Sequence, residues 1–128
     1  QAIAAADFAV NPLLEAEMRD QLRGGEVEIQ LTQPLPSTTY TPQQNIVFSG
    51  KLETDYALEE LDLQLLIFSN KIADYQNFDP IEEQAIILNE DLTFKFVSTQ
   101  NLSKGLYYFI IEDLNEEVFL KIGKFEVR

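Results

Sequence analysis

At Glu26 the spacing of apolar residues changes from about 3.6 to 2, and it does not change back before the end of the chain. Val27, Ile29 and Leu31 alternate with Glu28, Gln30 and Thr32, as in a strand with one face buried and one face wet. Residues 33–39 break this pattern, because Pro34 and Pro36 cannot donate to a ladder. The pattern resumes over 45–54, with Ile46, Phe48, Gly50 and Leu52 on one face. Leu61, Leu63, Leu65 and Ile67 form another alternating face before the run turns fully apolar at 66–68, which predicts a central strand. Two more strands are expected at 85–88 and 91–97, around a turn at Asn89-Glu90-Asp91. Residues 105–128 then read as a closing strand pair joined by an Asp-Leu-Asn-Glu turn, with every position given a core or turn role. Tyr107 and Tyr108 must face opposite sides of a strand, so one is expected in the core and the other exposed or at an edge. The sum is an all-β, antiparallel β-sandwich of about seven strands.

Ahead of the sandwich stands one short N-terminal helix. Asn11 and Pro12 supply an N-cap and a first-turn proline, and Leu14, Met18 and Leu22 recur at helical spacing with Leu13 beside them. Gly24-Gly25 is expected to end the helix after about three turns. Its expected place is against one end of the domain, a partner-binding helix being the alternative. This divides the chain into an N-terminal extension with its helix, residues 1–25, and the sandwich, residues 26–128. Ile3, Phe8 and Val10, upstream of the helix, are open to two readings: a linker, or an extended segment that pairs with a sheet edge.

Two stretches carry a resemblance. Tyr40-Thr-Pro-Gln-Gln-Asn-Ile-Val-Phe-Ser-Gly50 is similar to the Tyr-x-Pro-Gly-x-x-Val entry to the second main strand of Ig-like modules in bacterial and archaeal surface proteins, including macroglobulin-type domains. Leu102-Ser-Lys-Gly-Leu-Tyr107 resembles the Gly-x-Tyr that opens their penultimate strand, where the tyrosine hydroxyl ties the corner loop to backbone. Gln43 stands where the family usually has Gly, which implies a different turn there. The resemblance implies an Ig-like sandwich and an extracytoplasmic setting: periplasmic, cell-surface or secreted. It carries no activity, since one fold hosts many functions. A chain that opens on Gln1 without Met adds the expectation of a processed form.

Composition removes several chemistries. With no His and no Cys, the chain can build neither a Ser-His-Asp or Cys-His catalytic group nor a His- or Cys-ligated zinc site. Twenty-two acidic against nine basic residues give a net charge of −13, shared by both halves of the chain. Such a surface repels phosphate backbones and anionic headgroups, so no nucleic-acid partner and no direct membrane insertion are expected. Arg23-Gly24-Gly25-Glu26 places a carboxylate where a phosphate loop needs none. No enzyme activity, catalytic residue, metal or cofactor is therefore assigned.

The functional expectation is a non-catalytic module for protein–protein contact or assembly, its partner another protein or copies of itself. Sheet edges, the N-terminal segment through Ile3, Phe8 and Val10, and the 70–83 loop through Tyr75 and Phe78 are the candidate contacts. The alternative is a carbohydrate- or calcium-binding accessory module. Asp74, Asp79, Glu82 and Glu83 would be its oxygen donors, although solvated acids are the favoured reading of these residues.

Overall fold

A computed structural model describes residues 8–22, 27–34, 38–71, 80–98 and 101–128. Helix α1 (Pro12–Gln21) precedes eight strands: β1 (Val27–Gln33), β2 (Thr39–Tyr40), β3 (Ile46–Thr54), β4 (Leu63–Ser69), β5 (Glu82–Ile86), β6 (Thr93–Ser98), β7 (Gly105–Asp113) and β8 (Val118–Val127). They form a three-stranded sheet in the order β1-β3-β6 and a five-stranded sheet in the order β2-β8-β7-β4-β5. The sheets are antiparallel except where the short β2 runs parallel to the end of β8, through Thr39 with Glu126 and Tyr40 with Val127. The fold is thus an all-β sandwich with one short helix.

Alternation built the inner core. Ile46, Phe48 and Leu52 from β3 meet Leu63, Leu65 and Ile67 from β4, with Tyr107, Phe109 and Phe125 from the closing pair. Phe48 sits at the centre, its ring 5.3 Å from that of Phe109 and 6.1 Å from that of Phe125. Two glycines are required by close approach. A Cβ on Gly50 would collide with the Gln30 carbonyl, and one on Gly123 would collide with the Phe109 ring.

A second core lies on the other side of the large sheet. Leu14 and Met18 of α1 pack on Leu66, Phe68, Leu106, Tyr108, Ile110 and Phe119. This relocates the helix, which the sequence reading placed at one end of the domain. The outer face of β4 and β7 is apolar, and α1 covers it, so both faces of these two strands are buried. The same layer corrects the tyrosine pair: Tyr107 is 6% and Tyr108 1% exposed. Each has its own core, and neither is left at an edge.

The local signals for α1 hold at its start. Asn11 caps it, its Oδ1 accepting from the Leu14 N–H at 3.1 Å, and Pro12 occupies the first turn. The apolar stripe is narrower than its spacing suggested, since Leu13 is 73% exposed and Leu22 is the C-cap. The fifth strand also lies upstream of its expected place, at Glu82–Ile86 instead of 85–88. As the outermost strand of its sheet it tolerates Glu82 and Glu83, so its acidic start concealed it.

Tyr107 makes the expected corner bond, its hydroxyl donating to the Ser103 carbonyl at 2.7 Å. The turn at 41–44 closes through the Gln44 N–H to the Thr41 carbonyl. No helix among the described residues is long and apolar enough to cross a membrane.

Candidate functional site: the outer edge of the closing strand

Strand β8 changes character along its length. Its inner side pairs with β7 throughout, from Val118 opposite Asp113 to Val127 opposite Gly105. The register slips once, leaving Leu120 as an extra residue. That bulge lets Phe119 and Ile122, three positions apart, share the face under α1, while Leu120 and Phe125 point between the sheets.

Among the described residues, the outer side of β8 is paired only at its two ends. Near its start, Leu22 at the end of α1 makes an isolated parallel bridge to Phe119. At its finish, β2 pairs with Glu126 and Val127, and the Arg128 N–H donates to the Tyr40 carbonyl at 2.8 Å. Between these, residues 120–125, the bulged Leu120 and the run 121–125, have no strand on their outer side among the described residues. Three open grooves adjoin this gap. One of about 350 Å³ lies between Leu31 and Pro34 and the run 121–124. A second, of about 240 Å³, lies between α1 and Ile122-Gly123-Lys124. The third, of about 310 Å³, is walled by Phe8, Val10, Thr38 and Leu106.

The gap is also where this acidic chain collects its cations. Lys121, Lys124 and Arg128 are three of its nine basic residues and fall within its last eight positions. Lys124 reaches Glu15 at 3.5 Å, and Arg128 reaches Glu126 at 2.7 Å while its guanidinium lies 4.6 Å from the centre of the Phe8 ring. Lys121 makes no ion pair among the described residues.

The far edge of the same sheet is acidic. On β5, Glu83 faces outward beside Leu66, and Glu112 on β7 is held above the usual carboxylate range by burial and by the nearby Glu83 and Glu117. Glu82 points the other way and accepts a bond from the buried Ser98 hydroxyl at 2.6 Å, joining β5 to β6 across the sandwich. Ile81 and Ile87 flank this strand, and Ile87 is 82% exposed.

Of the sequence candidates, Phe8 and Val10 are brought together on the groove beside β8. Residues 8–11 reach it without forming a strand. They are clasped by side chains: Asn70 Nδ2 donates to the Ala9 carbonyl at 2.6 Å, and Asn11 Nδ2 donates to the Asn70 carbonyl at 2.8 Å. Ile3, Tyr75 and Phe78 lie outside the described residues, as do Asp74 and Asp79. Glu82 and Glu83 belong to β5 and not to the loop, so the 70–83 segment is shorter than the sequence suggested. The run 121–124 was not among the candidates. Its cation spacing was visible, but its position at an incomplete edge was not. Comparison with protein-family models gave no match to this chain, and neither did comparison with curated proteins.

Proposed function

We propose that this chain is a non-catalytic Ig-like module that works in protein–protein contact or assembly, with the outer edge of β8 as the surface that accepts an extended segment of the partner. The single observation that carries the reading is the gap at 120–125, bounded by Leu22 on one side and β2 on the other, over which no strand pairs with the outer side of β8 among the described residues. Backbone N–H and C=O groups on an unfilled edge are a template for an added strand, and adjoining grooves give its side chains somewhere to go. The three grooves and the local cations favour a segment that alternates apolar and acidic residues.

The Ig-like part of the reading is supported by strand order. The β1-β3-β6 sheet parallels the A-B-E arrangement of such sandwiches, β8-β7-β4 parallels G-F-C, and β5 extends that sheet as a C′ strand does. The Tyr107 corner bond adds to it. An extracytoplasmic location follows from the resemblance to surface-protein modules and belongs to the same proposal.

Selection of peptides from a random display library against the folded chain tests the contact surface. Recovered peptides should alternate apolar and acidic residues and should slow amide exchange at 121–125. Peptides that instead protect only β1, β3 and β6 would overturn the choice of edge.

A further inference from the structure

The stretch of β8 left open beside β2 and the β5 edge of the same sheet fit each other, and we infer that the segment accepted by β8 is strand β5 of a second copy of this chain. This rests on the reading of the β8 edge as a strand acceptor and names its occupant. Following the sheet, β5 is antiparallel to β4, β4 to β7 and β7 to β8. Strands β5 and β8 therefore run in opposite directions, and a β5 laid beside the next copy's β8 makes an antiparallel junction. The lengths are compatible, because β5 spans five residues and the stretch between Phe119 and Glu126, residues 120–125, spans six, of which Leu120 is the bulge. Among the described residues, no strand pairs with the outer side of β5.

Face and charge then select the register. Glu83 shares the outer face with Leu66, and Lys124 shares it with Ile122 and Glu15. In an antiparallel pair, residues directly opposite point to the same side. Setting Gln84 opposite Gly123 puts Glu83 opposite Lys124 and Ala85 opposite Ile122, all on matching faces. It also carries the exposed Ile87 toward Leu22, at the other end of the gap. Other pairings are disfavoured by charge: two β8 edges would confront Lys121 and Lys124 with their counterparts, and two β5 edges would do the same with Glu82 and Glu83. The contact uses two different patches, so it is head-to-tail, and copies add into a row or a ring.

Sedimentation velocity of the full chain over a concentration series tests this. The wild type should gain mass with concentration, and less so at high salt. E83K and K124E should each weaken association by roughly tenfold. Glu83 lies on β5, outside the Arg19 and Lys124 ion pairs of Glu15, and its replacement relieves the crowding at Glu112, so loss of association in E83K does not report loss of α1 or of the fold. An equimolar mixture of the two variants, or the double variant E83K/K124E, should recover association, because the opposite charges face each other again. A wild type that remains monomeric at about 1 mM, or a K124E protein that associates like wild type, overturns the inference. If library peptides still protect 121–125 in such a monomer, β8 accepts a different partner and only the self-pairing falls; if none do, the reading of the edge falls as well.

Discussion

The Tyr108 hydroxyl donates to Glu15 Oε2 at 2.6 Å and at the same time accepts the Asn11 N–H at 3.0 Å, so one strand residue holds both the cap and the first turn of α1. Tyr108→Phe keeps the ring in the outer core and removes both bonds. The expected cost is about 1–3 kcal/mol, seen as a lower urea midpoint with an unchanged denaturant slope.

The same hydroxyl makes stability sensitive to alkali. Burial pushes it up from 10.0 to about 12, with Glu15 adding to the rise and the Asn11 N–H opposing it. The folded state therefore keeps this proton to higher pH than the unfolded chain does. Its contribution is intact below pH 10 and is lost as pH climbs toward about 12. Tyr40, also raised by burial, acts in the same direction. Thermal unfolding from pH 9 to 12 should show a falling midpoint, with a shallower fall in Tyr108→Phe.

Glu112 is held above the usual carboxylate range, so its ionised form is disfavoured in the folded state. Glu112→Gln should raise stability at neutral pH, by an amount limited by solvent screening of this half-buried group. The sign follows from the wild type, which gains stability as pH falls and the group takes up its proton. The advantage of the variant should therefore vanish at acid pH, which parallel urea titrations at neutral and acid pH would show.

At Gly123 the Phe109 ring occupies the space a side chain would need, and that ring is confined by Phe48 and Phe125. Gly123→Ala should destabilise by about 1–3 kcal/mol through overpacking. A melting temperature equal to wild type would show that the ring can move aside.

Asn70 is buried, its side chain donating to the Ala9 carbonyl while its backbone carbonyl accepts from Asn11 Nδ2, so two bonds tie residues 8–11 to the end of β4. Asn70→Ala should remove the bond to the Ala9 carbonyl, leaving the Asn11 bond to the residue 70 carbonyl, at a cost of about 1–2 kcal/mol. Amide exchange should quicken at Asn11 and through α1 while β3 and β7 stay protected.

Most of the architecture was legible because alternation is a local signal. Ile46, Phe48 and Leu52 could serve only as one buried face, and Asn11-Pro12 could mark only the start of a helix. The strand at 82–86 was displaced in the reading because Glu82 and Glu83 do not look like sheet residues, and they are accommodated only because nothing among the described residues pairs outside them. The 121–124 run was given a core or turn role for a related reason: Ile122 packs on the layer under α1 and Gly123 against the Phe109 ring, and their backbone edge leaves no mark on residue type.

Residue pattern alone therefore settles the class of fold, the position of the helix in the chain and the inner faces of β1, β3 and β4. It also removes His and Cys chemistry outright. Only the assembled structure decides that α1 roofs the large sheet, that Tyr107 and Tyr108 are both buried, and that, among the described residues, β8 is incompletely paired between Leu22 and β2. The physical reason is range. Burial period is written every two or three residues along the chain, whereas which strand stands at an edge, and what covers a face, depend on contacts between Glu15 and Lys124 or between Leu22 and Phe119, about a hundred residues apart in sequence.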